Sequence, residues 1–253
     1  MNVEIADGDD RIPGVMLLPH AHEPVPAALL LHGLGSRKER MADSIGVVLQ
    51  RHGIAALAVD LPMHGGREKG GGGSPEDLRN SSAAMLLSAW GDATREATLA
   101  LDFLTRHERT DPRRLAIVGY SLGSFIANIV AAESSNVQAV VLAASGDLPD
   151  GLPFESLVRS VVDPLRAVRR TGGRPLLMVN GRFDRTVTPS QAERLFAAAQ
   201  EPKTMRWYGG GHWPPLQDIE FAAEWLAGQF TDPRASPESR RSRTMEPTAS
   251  SEA

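Results

Sequence analysis

Leu115-Ala116-Ile117-Val118-Gly119-Tyr120-Ser121-Leu122-Gly123 is the stretch whose reading decides the fold. Its four leading apolar residues predict a buried strand, and Phe125 to Glu133 beyond it predict a helix, with Ser121 at the apex of the turn between them. Gly119 and Gly123 flank the serine two positions away on each side, where a helix folded back onto its own strand leaves no room for Cβ atoms. Ser121 is thereby held out at the carboxyl end of the strand. The five-residue pattern alone also fits an ordinary turn, so its weight comes from what surrounds it.

Toward the N-terminus, Ile12 to Leu18 reads as a strand and Ala27 to Leu31 as a second, apolar throughout and so expected at the centre of a covered sheet. It runs into His32-Gly33-Leu34-Gly35-Ser36. Met41, Ile45, Val48 and Leu49 then recur at helical spacing before another apolar run, Ile54 to Val59, which makes a strand–helix–strand crossover. A loop follows from Asp60 to the glycines at 70 to 73. One helix or two come next, with Gly91 the expected interruption; Ala93, Ala97, Leu101 and Leu104 form an apolar stripe that Asp111-Pro112 should end.

Toward the C-terminus, Val137 to Ala143 predicts a buried strand. The long connection after it, 145–173, predicts a short lid with Phe154, Leu157, Val158 and Val161 on one helical face. Pro175 to Val179 is a strand that empties into Asn180-Gly181-Arg182-Phe183-Asp184. Ala192, Leu195, Phe196 and Ala199 mark a helix, Thr204 to Tyr208 a last strand, and Phe221, Trp225 and Phe230 a closing helix. The expectation is an α/β fold of one domain, residues 1–231, with a mostly parallel central sheet of about seven to eight strands flanked by helices. Residues 232–253, rich in Ser, Pro, Arg and Glu, read as a disordered tail.

Composition narrows the function classes. A chain of 253 residues, 42% hydrophobic, can bury the core of one large domain. The formal net charge of −4 leaves no electrostatic footprint for nucleic acid or an anionic membrane. With no cysteine, a thiol nucleophile, disulfides and thiolate metal sites are excluded together. The histidines lack zinc spacing, so no metal and no cofactor is expected. No stretch is long and apolar enough for a membrane span, and the acidic N-terminus lacks an apolar signal core; a soluble, cytoplasmic protein is the expectation.

Ser121, Asp184 and His212 each follow directly after a predicted strand, and in a parallel sheet those ends share one edge. A serine hydroxyl needs a neighbouring base at neutral pH, a role suited to His212, and a carboxylate on the other ring nitrogen, Asp184, fixes the tautomer. Alone, an Asp after a strand is commonly a turn former and a His in a glycine loop commonly surface. The order serine, acid, histidine is what sets them apart, because it is the chain order of one hydrolase architecture and not of two other familiar serine-protease arrangements. The amides of Leu122 and Leu34 are the candidate oxyanion donors, with Gly33 keeping its loop close to the substrate. His32 reads as a hydrogen bonder that shapes this loop; His64, Arg182 and Arg185 read as solvated rim, and His20, His22, His52 and His107 as surface.

From about residue 12 to 230 the sequence resembles the α/β-hydrolase superfamily. The matching pieces are His32-Gly33-Leu34-Gly35, Asp60-Leu61-Pro62-Met63-His64-Gly65, Gly119-Tyr120-Ser121-Leu122-Gly123, Gly181-Arg182-Phe183-Asp184 with Val187 and Pro189, and Gly211-His212. The short lid and the loop at 60–65 look similar to small bacterial carboxylesterases of the dienelactone-hydrolase and prolyl-oligopeptidase-like branch. Ser121 departs from the cysteine of dienelactone hydrolases, and from the aspartate a haloalkane dehalogenase needs. Leu34 departs from the third glycine of the hormone-sensitive-lipase-like branch. The resemblance implies a serine carboxylesterase, and a lid too short to enclose a long chain points to short-acyl or small alcohol esters. Met85, Trp90, Phe154 and Trp213 are candidates for its apolar pocket. A peptidase, thioesterase or amidase would use the same residues, and a non-catalytic ligand-binding scaffold is the reading from another class.

Overall fold

The computed structural model describes residues 1–8, 10–67, 83–151 and 155–231. The tail at 232–253, the glycine run at 70–73 and Phe154 lie outside the described residues. The described strands are β1 (Asn2–Asp7), β2 (Asp10–Leu17), β3 (Val25–Leu31), β4 (Ala55–Val59), β5 (Thr110–Tyr120), β6 (Val137–Ala143), β7 (Leu176–Gly181) and β8 (Lys203–Tyr208). They form one sheet in the order β1-β2-β4-β3-β5-β6-β7-β8. β1 and β2 are antiparallel to their neighbours, and every other pairing is parallel. This is the mostly parallel α/β sheet that the sequence predicts.

The strands between the flanking helices are apolar on both faces, and β3 and β4 are buried through Ala27–Leu31 and Ala55–Val59. On one face lie α1 (Lys38–Met41), a π-turn over Ala42–Gly46, α2 (Val47–Arg51) and, at the chain's end, α8 (Leu216–Thr231), which bury Met41, Ile45, Val48, Leu49, Ile219 and Leu226. On the other lie α3 (Ala83–Arg106), α4 (Leu122–Glu133), α6 (Pro164–Arg169) and α7 (Pro189–Ala198), which bury Leu101, Leu104, Ile126, Val130, Val168 and Leu195.

Several boundaries differ from expectation. α3 is continuous through Gly91, where an added Cβ would meet nothing, because the glycine faces solvent and neither packing nor backbone forces a break. α3 ends at Arg106, and Asp111-Pro112 belongs to β5. Pro112 fits there because β5 slips register against β3 between Val25 and Ala27, a stretch where the missing N–H is not required. α4 starts at Leu122, directly after the serine. β1 was not foreseen; it pairs along β2 from Asn2↔Val15 to Asp7↔Asp10.

In the 145–173 connection, α5 (Glu155–Val161) and α6 carry the only helices among the described residues. Leu157 and Val161 are 54% and 38% exposed, so the apolar face predicted for α5 is not packed into the core. Polar contacts hold α5 instead. Arg159 donates to both oxygens of buried Asp147, at 2.9 and 3.2 Å, and to Glu155 at 2.7 Å. α6 packs on α4, with the Asn128 amide donating to Pro164 O at 2.9 Å.

Candidate active site

The chain passes from β3 to β4 in one direction along the sheet and then returns to the other side of β3 for β5, so the β3 and β5 ends meet where the winding reverses. Leu31 pairs with Gly119 at that point. The residues after β3, His32 to Ser36, are therefore neighbours of Ser121.

Ser121 has φ +52° and ψ −118°, a strained backbone for a residue with a side chain. Its N–H donates to Ala143 O at 2.9 Å, and its carbonyl accepts from the Ser124 N–H and hydroxyl at 2.8 and 2.7 Å. The glycines act as the turn requires: a Cβ on Gly119 would collide with the backbone of Gly123 and Ser124, and one on Gly123 with the Leu31 carbonyl. Gly33 is similarly confined, since its Cβ would meet the Tyr120 ring at 2.9 Å and Ser121 Cβ at 3.2 Å.

β8 lies three strands from β5, about 14 Å at the usual spacing, so the chain after it must lean back over the sheet edge for His212 to reach Ser121. Gly209-Gly210-Gly211 makes that reach. The loop crosses directly over Gly181, where a Cβ would collide with the carbonyls of Gly210 and Gly211. It is pinned from both sides. Arg182 N–H donates to Tyr208 O and Phe183 N–H to Gly210 O, both at 2.9 Å; the Tyr208 hydroxyl donates to Gly211 O at 2.9 Å and lies 3.2 Å from His212 O. Burial pushes the Tyr208 phenol above its usual range and that of Tyr120 up to about 12, so both stay neutral.

His212 Nε2 lies 2.8 Å from Ser121 Oγ, and His212 Nδ1 lies 2.7 Å from Asp184 Oδ2. The Asp184 side chain is fully buried, and its other oxygen accepts from the N–H groups of Thr186 at 2.8 Å and Val187 at 3.1 Å. A carboxylate placed in this way can take the Nδ1 proton in a hydrogen bond, which leaves Nε2 facing the Ser121 hydroxyl. Such a line can activate a hydroxyl for attack and then return its proton to a leaving group.

Leu122 is the first residue of α4, so its N–H has no partner within the helix. The Leu34 N–H has no acceptor among the described residues. Trp213 stands edge-on to Tyr120, 4.5 Å between centroids, with the Arg40 guanidinium 4.8 Å from its ring centroid. Met85 is half-exposed on the first turn of α3, and Trp90 packs against the core cluster holding Ala93 and Ala97. No ring contact joins Trp90 to the Ser121 line among the described residues.

His32 is fully buried, with Nδ1–H donating to Gly33 O at 2.8 Å and Nε2 accepting from Leu61 N–H at 3.1 Å. Burial pushes its pKa down to about 4, so it is neutral at pH 7 and shapes the loop as expected. His64 is not rim: it is 4% exposed, its Nδ1 lies 2.7 Å from Pro62 O, and its ring packs 5.1 Å from His32. The loop after β4 folds inward there, which the sequence did not reveal. Arg182 and Arg185 are exposed. Sequence reading gave no role to Asp60, whose buried carboxylate gathers three donors, nor to Tyr208. Position at a strand end was the available signal for both.

A sequence model of the alpha/beta hydrolase family matches residues 28–183. The chain belongs to that family. The match contains Ser121 and stops one residue before Asp184. The chain is 27% identical over 184 residues, 70% of its length, to an uncharacterized Mycobacterium tuberculosis protein, and 32% identical over 174 residues, 68% of its length, to NocK of Nocardia uniformis subsp. tsuyamanensis, named as a candidate esterase. The matches span 59% and 43% of those two relatives' own lengths. Among solved structures, the chain superposes on a cold-adapted esterase from an Arctic intertidal metagenomic library with TM-score 0.66 at 21% identity, covering 91% of this chain and 93% of that one. For a dienelactone hydrolase from Anabaena variabilis the TM-score is 0.65 at 21% identity, with 90% and 94% covered. These structural likenesses establish the fold.

Among the described residues no helix is long and apolar enough to cross a membrane.

Proposed function

We propose that this hydrolase is a serine carboxylesterase acting on short-acyl or small esters. The observation that carries the reading is the unbroken line from Ser121 Oγ through His212 to Asp184, at 2.8 and 2.7 Å. Ser121 Oγ attacks the ester carbonyl while His212 Nε2 takes its proton, and Asp184 stabilises the imidazolium. The carbonyl oxygen, now negative, accepts from the Leu34 and Leu122 N–H groups. Collapse returns the proton from His212 to the departing alcohol. A water then attacks the acyl-enzyme by the same base, and the acid leaves. No metal or cofactor enters these steps.

The size preference follows from the 145–173 segment, which in this reading is a small lid. Among the described residues its helices are 7 and 6 residues long, and α6 packs on α4, which leaves little chain to enclose a long acyl group. Trp213 beside Tyr120, with Met85 and Trp90 on α3 and Phe154, supplies the apolar surface of the pocket in this proposal. The names of NocK and of the Arctic enzyme support an ester substrate over an amide.

The test is hydrolysis of p-nitrophenyl esters from acetate to decanoate, on wild type and Ser121→Ala side by side. The expected result is a maximum at the short end and, in the variant, a kcat loss on the order of a million-fold. A fluorophosphonate probe should label Ser121 and nothing else. Labelling at another serine, or activity in Ser121→Ala, overturns the assignment; a maximum at eight carbons or beyond overturns the size preference.

A further inference from the structure

We propose that Asp60 is a positioning residue of the oxyanion site, setting the Leu34 amide through the loop at 33–38 without touching substrate. The inference rests on the reading of Leu34 as an oxyanion donor. That donor sits on a loop with little structure of its own: its one internal bond is Ser36 N–H to Gly33 O at 3.2 Å, and Gly35 has φ +66°. A free N–H in such a loop keeps its aim only if both ends of the loop are held.

The near end is held by His32, whose ring bonds Gly33 O on one side and Leu61 N–H on the other. The far end is held by Asp60. Its Oδ1 accepts from Lys38 N–H at 2.8 Å, and its Oδ2 from Lys38 Nζ at 2.7 Å and from Gly66 N–H at 3.0 Å. The Asp60 side chain is fully buried and that of Lys38 is 12% exposed. Asp60 and Leu61 are consecutive, so both anchors of the 33–38 loop come from one short stretch at the end of β4. A carboxylate buried in this way is tolerable only when both oxygens are hydrogen-bonded, and the three donors meet that condition. The surroundings are built to match. A Cβ on Gly65 would collide with the Asp60 carboxylate, and Gly65 has φ +58°, so only glycine lets the 60–66 loop close around it.

Asp60→Asn replaces an acceptor with an N–H₂ that must face either the Lys38 ammonium or a backbone N–H. The Lys38 end of the loop is then released, while Ser121, His212 and Asp184 keep all their own bonds. A displaced oxyanion donor weakens transition-state binding and leaves ground-state binding almost alone. For Asp60→Asn on a short p-nitrophenyl ester, kcat should fall about 100-fold with KM unchanged within about threefold. Butylboronic acid, which forms a tetrahedral adduct with a serine oxygen, should lose affinity by the same factor as kcat/KM. Lys38→Met keeps the carboxylate and both backbone bonds, and should lose about tenfold in kcat; it serves if Asp60→Asn does not fold.

Asp111→Asn is the control for mere destabilisation, since it loosens a carboxylate bound to Arg113 and Arg114 at the opposite end of β5. It should lower the melting temperature and leave kcat and boronate affinity in place. If the Asp60 and Lys38 variants lower only the melting temperature, or raise KM in step with the loss of kcat/KM, the positioning role is wrong while the esterase reading stands. Activity in Ser121→Ala would overturn both.

Discussion

His32 carries a pH dependence that its position dictates. The ring is neutral in the fold, with pKa about 4, and titrates near 6.5 when unfolded. Between those values the unfolded chain binds the proton and the folded one does not, so stability is full above pH 6.5 and declines as pH falls toward 4. The gap limits the loss from this residue to about 3 kcal/mol. Urea unfolding at pH 7 and pH 4.5 should show it. His32→Asn should be less stable at pH 7 but lose less than wild type on acidification; equal losses would rule out His32 as a source. Glu39, Asp60 and His64 bear on the same ring, which is why the comparison with a variant is needed. The sequence made the hydrogen-bonding role of His32 legible because a histidine directly after an apolar strand has backbone on every side. It did not make His64 legible, since that burial arises only when 60–67 folds back against His32. Ser121, Asp184 and His212 could be read because glycine punctuates each strand end; Asp60 stands at such an end too, but its role depends on Lys38, which no local pattern connects to it.

At the scale of elements, the strands inside the sheet announced themselves as apolar runs. β1 did not, because an edge strand alternates exposed and buried residues and carries Glu4 and Asp7. Gly91 shows the opposite error. A glycine suggests a break, yet α3 passes through it with the site facing open solvent. Gly91→Ala should therefore stabilise the protein by about 1 kcal/mol by raising helix propensity and restricting the unfolded chain. Thermal melting should show an upward shift, and a drop would mean that α3 needs the glycine for something its geometry does not display. α5 forms where the spacing of Leu157, Val158 and Val161 puts a helix, but what holds it is Arg159 on Asp147, an interaction between residues twelve apart that spacing does not reveal.

Across the whole molecule the sheet sets a gradient of stability. β3, β5 and β6 are flanked by strands on both sides and covered on both faces, whereas β1 and β8 are edges. Amide hydrogen exchange should be slowest for Leu29 to Leu31, Ile117 and Val118, opening only with global unfolding, and faster along β1 and β8. Uniform protection across the sheet would contradict this. The Ser121 turn grows from a central strand, while the His212 loop follows an edge strand.

That placement gives the sewn contact between 181–184 and 208–212 a consequence for how such a protein can change. Asp184 and His212 arrive as one prefabricated unit whose spacing is fixed by main-chain bonds and one missing methyl group at Gly181. The stretch between β6 and β7 enters the chain before this unit begins. Under the proposed function, the chain beyond Asp147 in that stretch could be lengthened, shortened or replaced to suit a new ester without touching the main-chain bonds that set Asp184 against His212.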